Sequence, residues 1–232
     1  MKLPLPIKVP KGYRVYMTQP YANQSLNSWY KEKGITAPFH NGVDLVLAKD
    51  GLVDSQKTYG CPVVTPSEGW KIVKVTYESP LATKGNGITI ESSPVVQDNG
   101  DVFIYQAVLW HLSKTVTIEG ILPKETEIGY MGNSGTVRPE PSAHCPYCGS
   151  HLHLMLFKFK LVGSSYVLQN ADNGVHGAID PLELFDFSEG IIGEAEKLAE
   201  IEKDLLPFPE LIERIRLGIA KLLSTPGDDI KG

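Results

Sequence analysis

The chain has 232 residues, 42% of them hydrophobic and 21% charged, with a formal net charge of −5. That is the composition of an ordinary globular protein, long enough for one sizeable core with an appendage. The mildly acidic balance argues against nucleic acid or an anionic membrane as partner. No apolar run approaches the roughly 20 residues that cross a bilayer.

At the N-terminus, Pro4, Pro6 and Pro10 interrupt the stretch where a signal peptide would sit, so neither conventional export nor a membrane span is expected. From Tyr13 to about Phe187, short β-branched and aromatic runs alternate with Gly, Pro, Asn and Asp clusters, the pattern of antiparallel strands and turns. Strands are expected at Val63–Thr65, Trp70–Tyr77, Gly87–Glu91, Val102–Trp110, Glu127–Met131, His151–Lys160 and Tyr166–Leu168. Ile88 and Ile90 alternate with Thr89 and Glu91, which implies one packed face and one wet face. Such a sheet can form the floor of a groove.

After Ser188 the pattern changes. Ile191, Ala195, Leu198, Ile201 and Leu205, then Leu211, Ile215, Ile219 and Leu222, fall on one side of a helix. Two amphipathic helices broken at Pro207 and Pro209 are expected. The reading is therefore a mainly β domain over 1–188, with an antiparallel groove, and a short α-helical tail over 189–232. That tail packs on its own domain or on a partner.

Three of the six histidines fall in two clusters, His40-Asn41-Gly42-Val43-Asp44 and His151-Leu152-His153. Imidazole and carboxylate suit zinc, and three protein ligands with a fourth position open is the arrangement of a catalytic site. His151 and His153, two apart on a strand, project from one face while Leu152, Leu154 and Leu156 point to the other. His40 and Asp44 would stand about 13 Å apart on a straight strand, so the chain must bend between them, and Asn41-Gly42 supplies the bend. His111, in Trp110-His111-Leu112-Ser113, reads in isolation as a buried strand histidine.

These motifs resemble the lysostaphin-like, or LytM-type, zinc endopeptidases. The resemblance extends to Tyr59 through Pro66, to Trp110-His111-Leu112-Ser113, to the glycine-rich Gly129 through Gly135 and to Ile179-Asp180-Pro181, covering about Val15 to Leu184. It implies that His40, Asp44 and His153 hold Zn2+, and that His111 and His151 are the unliganded catalytic histidines. His151 would be the general base, and His111 would contact the developing oxyanion or help the proton move. The implied function is hydrolysis of peptide bonds in bacterial peptidoglycan, at the cell wall and outside the cytoplasm. The alternative is a non-catalytic relative that binds the wall or forms part of a phage tail.

Three stretches exceed the family pattern: Ala48 to Tyr59, Thr136 to Ser150 and Gly163 to Ala178. Each is expected to border the groove, where loops set specificity. The middle one holds His144-Cys145-Pro146-Tyr147-Cys148, which reads as half of a structural zinc site completed by Cys61 or His176, as a local disulfide, or as free thiols. With no wall-binding module evident after the catalytic domain and no signal peptide expected, a phage or prophage enzyme is expected, with a trimmed or leaderless bacterial enzyme as the alternative.

Overall fold

A computed structural model describes residues 2–24, 27–33, 39–78 and 84–192 of the chain. The expected helices after residue 192 lie outside the described residues. Each of the strands expected from alternation forms, as Pro62–Val64, Trp70–Thr76, Asn86–Ser92, Val102–Leu112, Glu127–Tyr130, Leu152–Val162 and Ser165–Leu168. Two more, Arg14–Gln19 and Val43–Lys49, complete the frame. The second of these is buried at Val43 and then continuously from Leu45 to Ala48, so it has no polar face for a pattern to reveal.

The main sheet runs in the order Ile191–Ile192, Arg14–Gln19, Val43–Lys49, Leu152–Val162, Val102–Leu112, Asn86–Ser92, Trp70–Thr76. All of these neighbours pair antiparallel except the first pair. Ile191 and Ile192 lie parallel to Tyr16 and Met17, so the start of the expected tail is strand and not helix. The physical reason is the edge. Arg14–Gln19 offers unpaired backbone groups, and a passing segment satisfies them by extending. The sheet therefore continues past the boundary expected at residue 188.

A three-stranded sheet of Lys114–Thr115, Glu127–Tyr130 and Pro62–Val64 packs against the main one. At Gly129 an added Cβ would lie 3.0 Å from the Leu112 side chain and 3.5 Å from that of Ile88, which fixes how closely the two sheets approach. Between them lies the core, with Leu45, Ile88, Ile90, Leu109, Leu112, Leu152, Leu154 and Leu156 from the large sheet and Val63, Ile128 and Met131 from the small sheet and its flank. Filling one face of the large sheet with these residues leaves its other face for chemistry. Among the described residues no helix is long and apolar enough to cross a membrane.

Candidate metal centre

Three consecutive strands of the large sheet carry the site. The central one, Leu152–Val162, sends Leu152, Leu154 and Leu156 into the core, with none of them exposed, so His153 and the preceding His151 take the opposite face. Asp44 lies beside His153 in register on the adjacent Val43–Lys49 strand. His40 precedes that strand by a bend at Asn41-Gly42, as the spacing required. Gly42 acts here through closeness. Its φ is not in the left-handed region, but a Cβ would overlap the Leu154 carbonyl oxygen. Glycine lets the bend press onto the neighbouring strand and bring His40 over it.

His111 reaches the site by a different device. In the Asn86–Ser92 pairing, Asn86 stands opposite Leu112 but Ile88 stands opposite Leu109, so Gly87 faces both Trp110 and His111. This is a β-bulge, and His111 takes φ +63 within it. In an unbroken strand His111 would share the face of Leu109. The extra residue lets Leu109 and Leu112 both enter the core while Trp110 and His111 turn to the site. Trp110 lies over Gly87, where a Cβ would overlap its indole, and stacks on the His153 ring at 13° with centroids 5.4 Å apart.

The resulting cluster is compact. His40 Nε2 lies 3.1 Å from Asp44 Oδ1 and 3.0 Å from His153 Nδ1, and His153 Nδ1 lies 2.9 Å from Asp44 Oδ1. The His151 Nε2 atom is 3.5 Å from Asp44 Oδ1. The rings of His111 and His151 are 4.6 Å apart and those of His111 and His153 5.9 Å. All five residues expected from the sequence are thus brought together on one face.

Hydrogen-bond partners set the tautomers, because a backbone carbonyl can only accept. His40 Nδ1 faces Pro20 O at 3.1 Å, His111 Nδ1 faces Ser134 O at 2.8 Å and His151 Nδ1 faces Gly149 O at 2.7 Å. Each of these rings therefore carries its proton on Nδ1, and in the neutral form Nε2 is a lone pair. Burial pushes the His153 pKa down to about 4, against the pull of Asp44, so the ring is neutral near pH 7. His111 is also held well below its ordinary value, by burial first and by His151 and His153 next. For Asp44 burial raises the pKa, but the charge of His40 and His151 in their protonated forms, and the bonds that His153 and a protonated His40 donate, outweigh it, and the carboxyl stays ionised.

Zinc fits this donor set. Nitrogen and oxygen ligands at about 2.0–2.1 Å in a tetrahedron stand about 3.3 Å from one another. The three observed edges, 2.9, 3.0 and 3.1 Å, are those of a slightly contracted version of that face. His40, Asp44 and His153 form the one group of potential metal-holding residues among the described residues. The chemistry of the group agrees, with two imidazole nitrogens and one carboxylate oxygen turned on a common point. His153 Nε2 is buried with no hydrogen-bond partner, so the ring is held at its Nδ1 edge by Asp44 and His40 and across its face by the Trp110 stack.

The alternatives left open at the CxxC turn resolve to a disulfide, Cys145–Cys148. Cys61 is buried elsewhere as a free thiol, and His144 and His176 are exposed. Trp110, Ser134, Gly149 and Pro20 were not singled out from the sequence as residues with a role at the site. Three of them act through backbone carbonyls, which carry no side-chain signal. Trp110 had one, since a bulky aromatic beside His111 and opposite a glycine marks a packed platform.

No protein-family model matches the chain, and no curated protein matches it. Among solved structures it is similar to the catalytic domain of the antimicrobial peptidase lysostaphin from Staphylococcus simulans, with 22% identity over 74% of this chain and 90% of that one and a TM-score of 0.39. It is similar to a zinc-containing peptidase from Vibrio cholerae, with 21% identity over 72% and 39% of the two chains and a TM-score of 0.42. A chain of the SpoIIQ–SpoIIIAH pore-forming complex matches with 17% identity over 80% and 91% and a TM-score of 0.42. Likeness at this level decides neither chemistry nor substrate, which rest on the residues of this chain.

Proposed function

We propose that the chain is a zinc-dependent endopeptidase that hydrolyses peptide bonds in bacterial peptidoglycan, acting at the cell wall. The observation that carries this reading is the convergence of His40 Nε2, Asp44 Oδ1 and His153 Nδ1 within 3.1 Å of one another. These three would hold the ion. Zinc in such a site supplies a Lewis acid that polarises a carbonyl and makes water a better proton donor.

The chain's own residues supply the rest. His151, whose Nδ1–H donates to the Gly149 carbonyl, presents Nε2 to the centre and can accept a proton there. His111 is neutral by burial, and its Nδ1 proton is committed to Ser134. Its Nε2 therefore cannot donate to an oxyanion until it has itself taken up a proton. Of the two roles implied for His111, proton movement comes first, and contact with the developing charge follows from it. The wall peptide as substrate is supported by the sequence motifs, from His-x-Gly-x-Asp to His-Leu-His.

The test is clearing of a purified wall suspension by the full chain with zinc, with a chelator, and with zinc restored. Loss on chelation and recovery on restoration are expected, with new amino termini in the digest identifying the bond. Walls of several chemistries left intact by the zinc-loaded protein would overturn the reading.

A further inference from the structure

Two backbone carbonyls decide how the unliganded histidines present themselves: Ser134 O to His111 and Gly149 O to His151. These acceptors lie on separate loop segments, and a loop carbonyl keeps its place only if the loop is tied. Ser134 has its own anchor, since its Oγ donates to Leu112 O at 2.8 Å and accepts from Asn86 N at 2.9 Å, and one side chain ties the Gly149 segment to it. Asn133, next to Ser134, donates from Nδ2 to Pro146 O at 2.9 Å and to Cys148 O at 3.0 Å, the latter next to Gly149.

The turn that Asn133 grips is closed in several ways. The Cys145–Cys148 disulfide crosses it, and Ser142 and Cys145 exchange backbone bonds of 3.1 Å at its start. Ser150 Oγ donates to Tyr147 O at 2.6 Å at its end. Gly149 takes φ +70, and a Cβ there would overlap the Pro139 carbonyl oxygen. The two segments also meet directly, since His151 N donates to Gly132 O at 2.9 Å. The segment from Thr136 to Ser150, expected from the sequence to border the groove, thus also carries the support of the expected base.

We propose that Asn133 is a positioning residue which, with the Cys145–Cys148 turn, clasps the Gly149 carbonyl to the Ser134 segment and so locks His151 with its proton on Nδ1. The amide group has two donors and spends both on the turn. Removing it frees two carbonyls and unties the turn from the Ser134 segment. A carboxylate in its place would meet those same carbonyls as a second acceptor.

The catalytic meaning of the clasp rests on the proposed hydrolase function, but its structural content does not. The test uses the full zinc-loaded chain, labelled with 15N, and reads the imidazole tautomers by long-range 1H–15N correlation. In the wild type, His111 and His151 should each show a single Nδ1–H form. Asn133→Ala, Asn133→Asp and Cys145→Ser/Cys148→Ser should each lose it at His151, while the bonds of the Ser134 hydroxyl keep it at His111. Zinc content should stay at the wild-type value while kcat on wall peptide falls about 10- to 100-fold with KM unchanged, the usual cost of loosening an outer support.

Single Nδ1–H forms and full kcat in a folded Asn133→Ala would overturn the clasp. If neither Asn133 variant folds, the double serine variant decides, and an unaltered His151 signal there overturns it. A wild type that cleaves no wall peptide, yet loses its single His151 form on Asn133→Ala, would sustain the clasp and sink the hydrolase reading.

Discussion

His151 and His153 share one face of one strand, and spacing alone cannot tell them apart. Their atoms can. His153 turns Nδ1 to His40 and Asp44 at 3.0 and 2.9 Å, whereas His151 is tied through Nδ1 to a carbonyl and stands 3.5 Å from Asp44 through Nε2. His153→Ala should therefore release zinc and abolish activity together, because two protein ligands hold the ion poorly. His151→Ala should retain zinc and lose about 10² to 10⁴ in rate, the usual contribution of a positioned acid or base. Metal analysis of the two folded variants checks the pair, and zinc lost from His151→Ala but kept in His153→Ala would reverse the assignment. At this scale the side chains were legible in the sequence and their supports were not. The ligand types stand out at His40, Asp44, His151 and His153, but Ser134 and Gly149 act through carbonyls that every residue possesses.

The bend and the bulge place those side chains, and each depends on one glycine. At Gly42 a methyl group would strike the backbone of the His-x-His strand, which has no freedom to yield. Gly42→Ala should cost about 1–3 kcal/mol, the range for overpacking, and should weaken zinc binding by displacing His40 from His153. Gly163 provides the control. It has φ +61 with nothing within 4 Å of an added Cβ, so Gly163→Ala should cost about 1–2 kcal/mol of backbone strain and leave zinc affinity unchanged. Chemical denaturation and chelator competition on both variants separate these outcomes, and equal zinc affinities would count against the role given to Gly42. The elements themselves were legible wherever one face is wet, as in Asn86–Ser92, because alternation is then written in polarity. Val43–Lys49 escaped notice because both its faces are covered. The bulge at Trp110-His111 escaped because an extra residue shifts the phase without changing composition. At Ile191–Ile192 a short edge pairing overrides the helical period of the sequence.

Across the whole molecule, the three cysteines divide into one turn-closing pair and one silent thiol, which makes the free one a reporter of the fold. Cys61 is 3% exposed and belongs to the main core, where the segment from Ile7 to Lys8 covers the Pro62–Val64 strand. Its Sγ lies 3.5 Å from the Lys8 carbonyl. Burial pushes its pKa from 9.0 up to about 12. The native chain should therefore resist iodoacetamide at pH 8, and modification should appear only as denaturant opens the core, since the thiolate is the nucleophile. The same shift carries a sign for stability. Below pH 9 the thiol is protonated in both states and favours neither. Between about 9 and 12 the unfolded chain loses this proton while the folded chain keeps it, so stability falls as pH rises through that window. Tyrosines and lysines also titrate there, so the measurement is a difference: unfolding free energy against pH for the wild type and for Cys61→Ala. The variant should start lower, having lost a buried sulfur, and should decline less steeply between pH 9 and 12. Parallel curves, or rapid labelling of the native wild type at pH 8, would show that the N-terminal segment does not seal this side of the core.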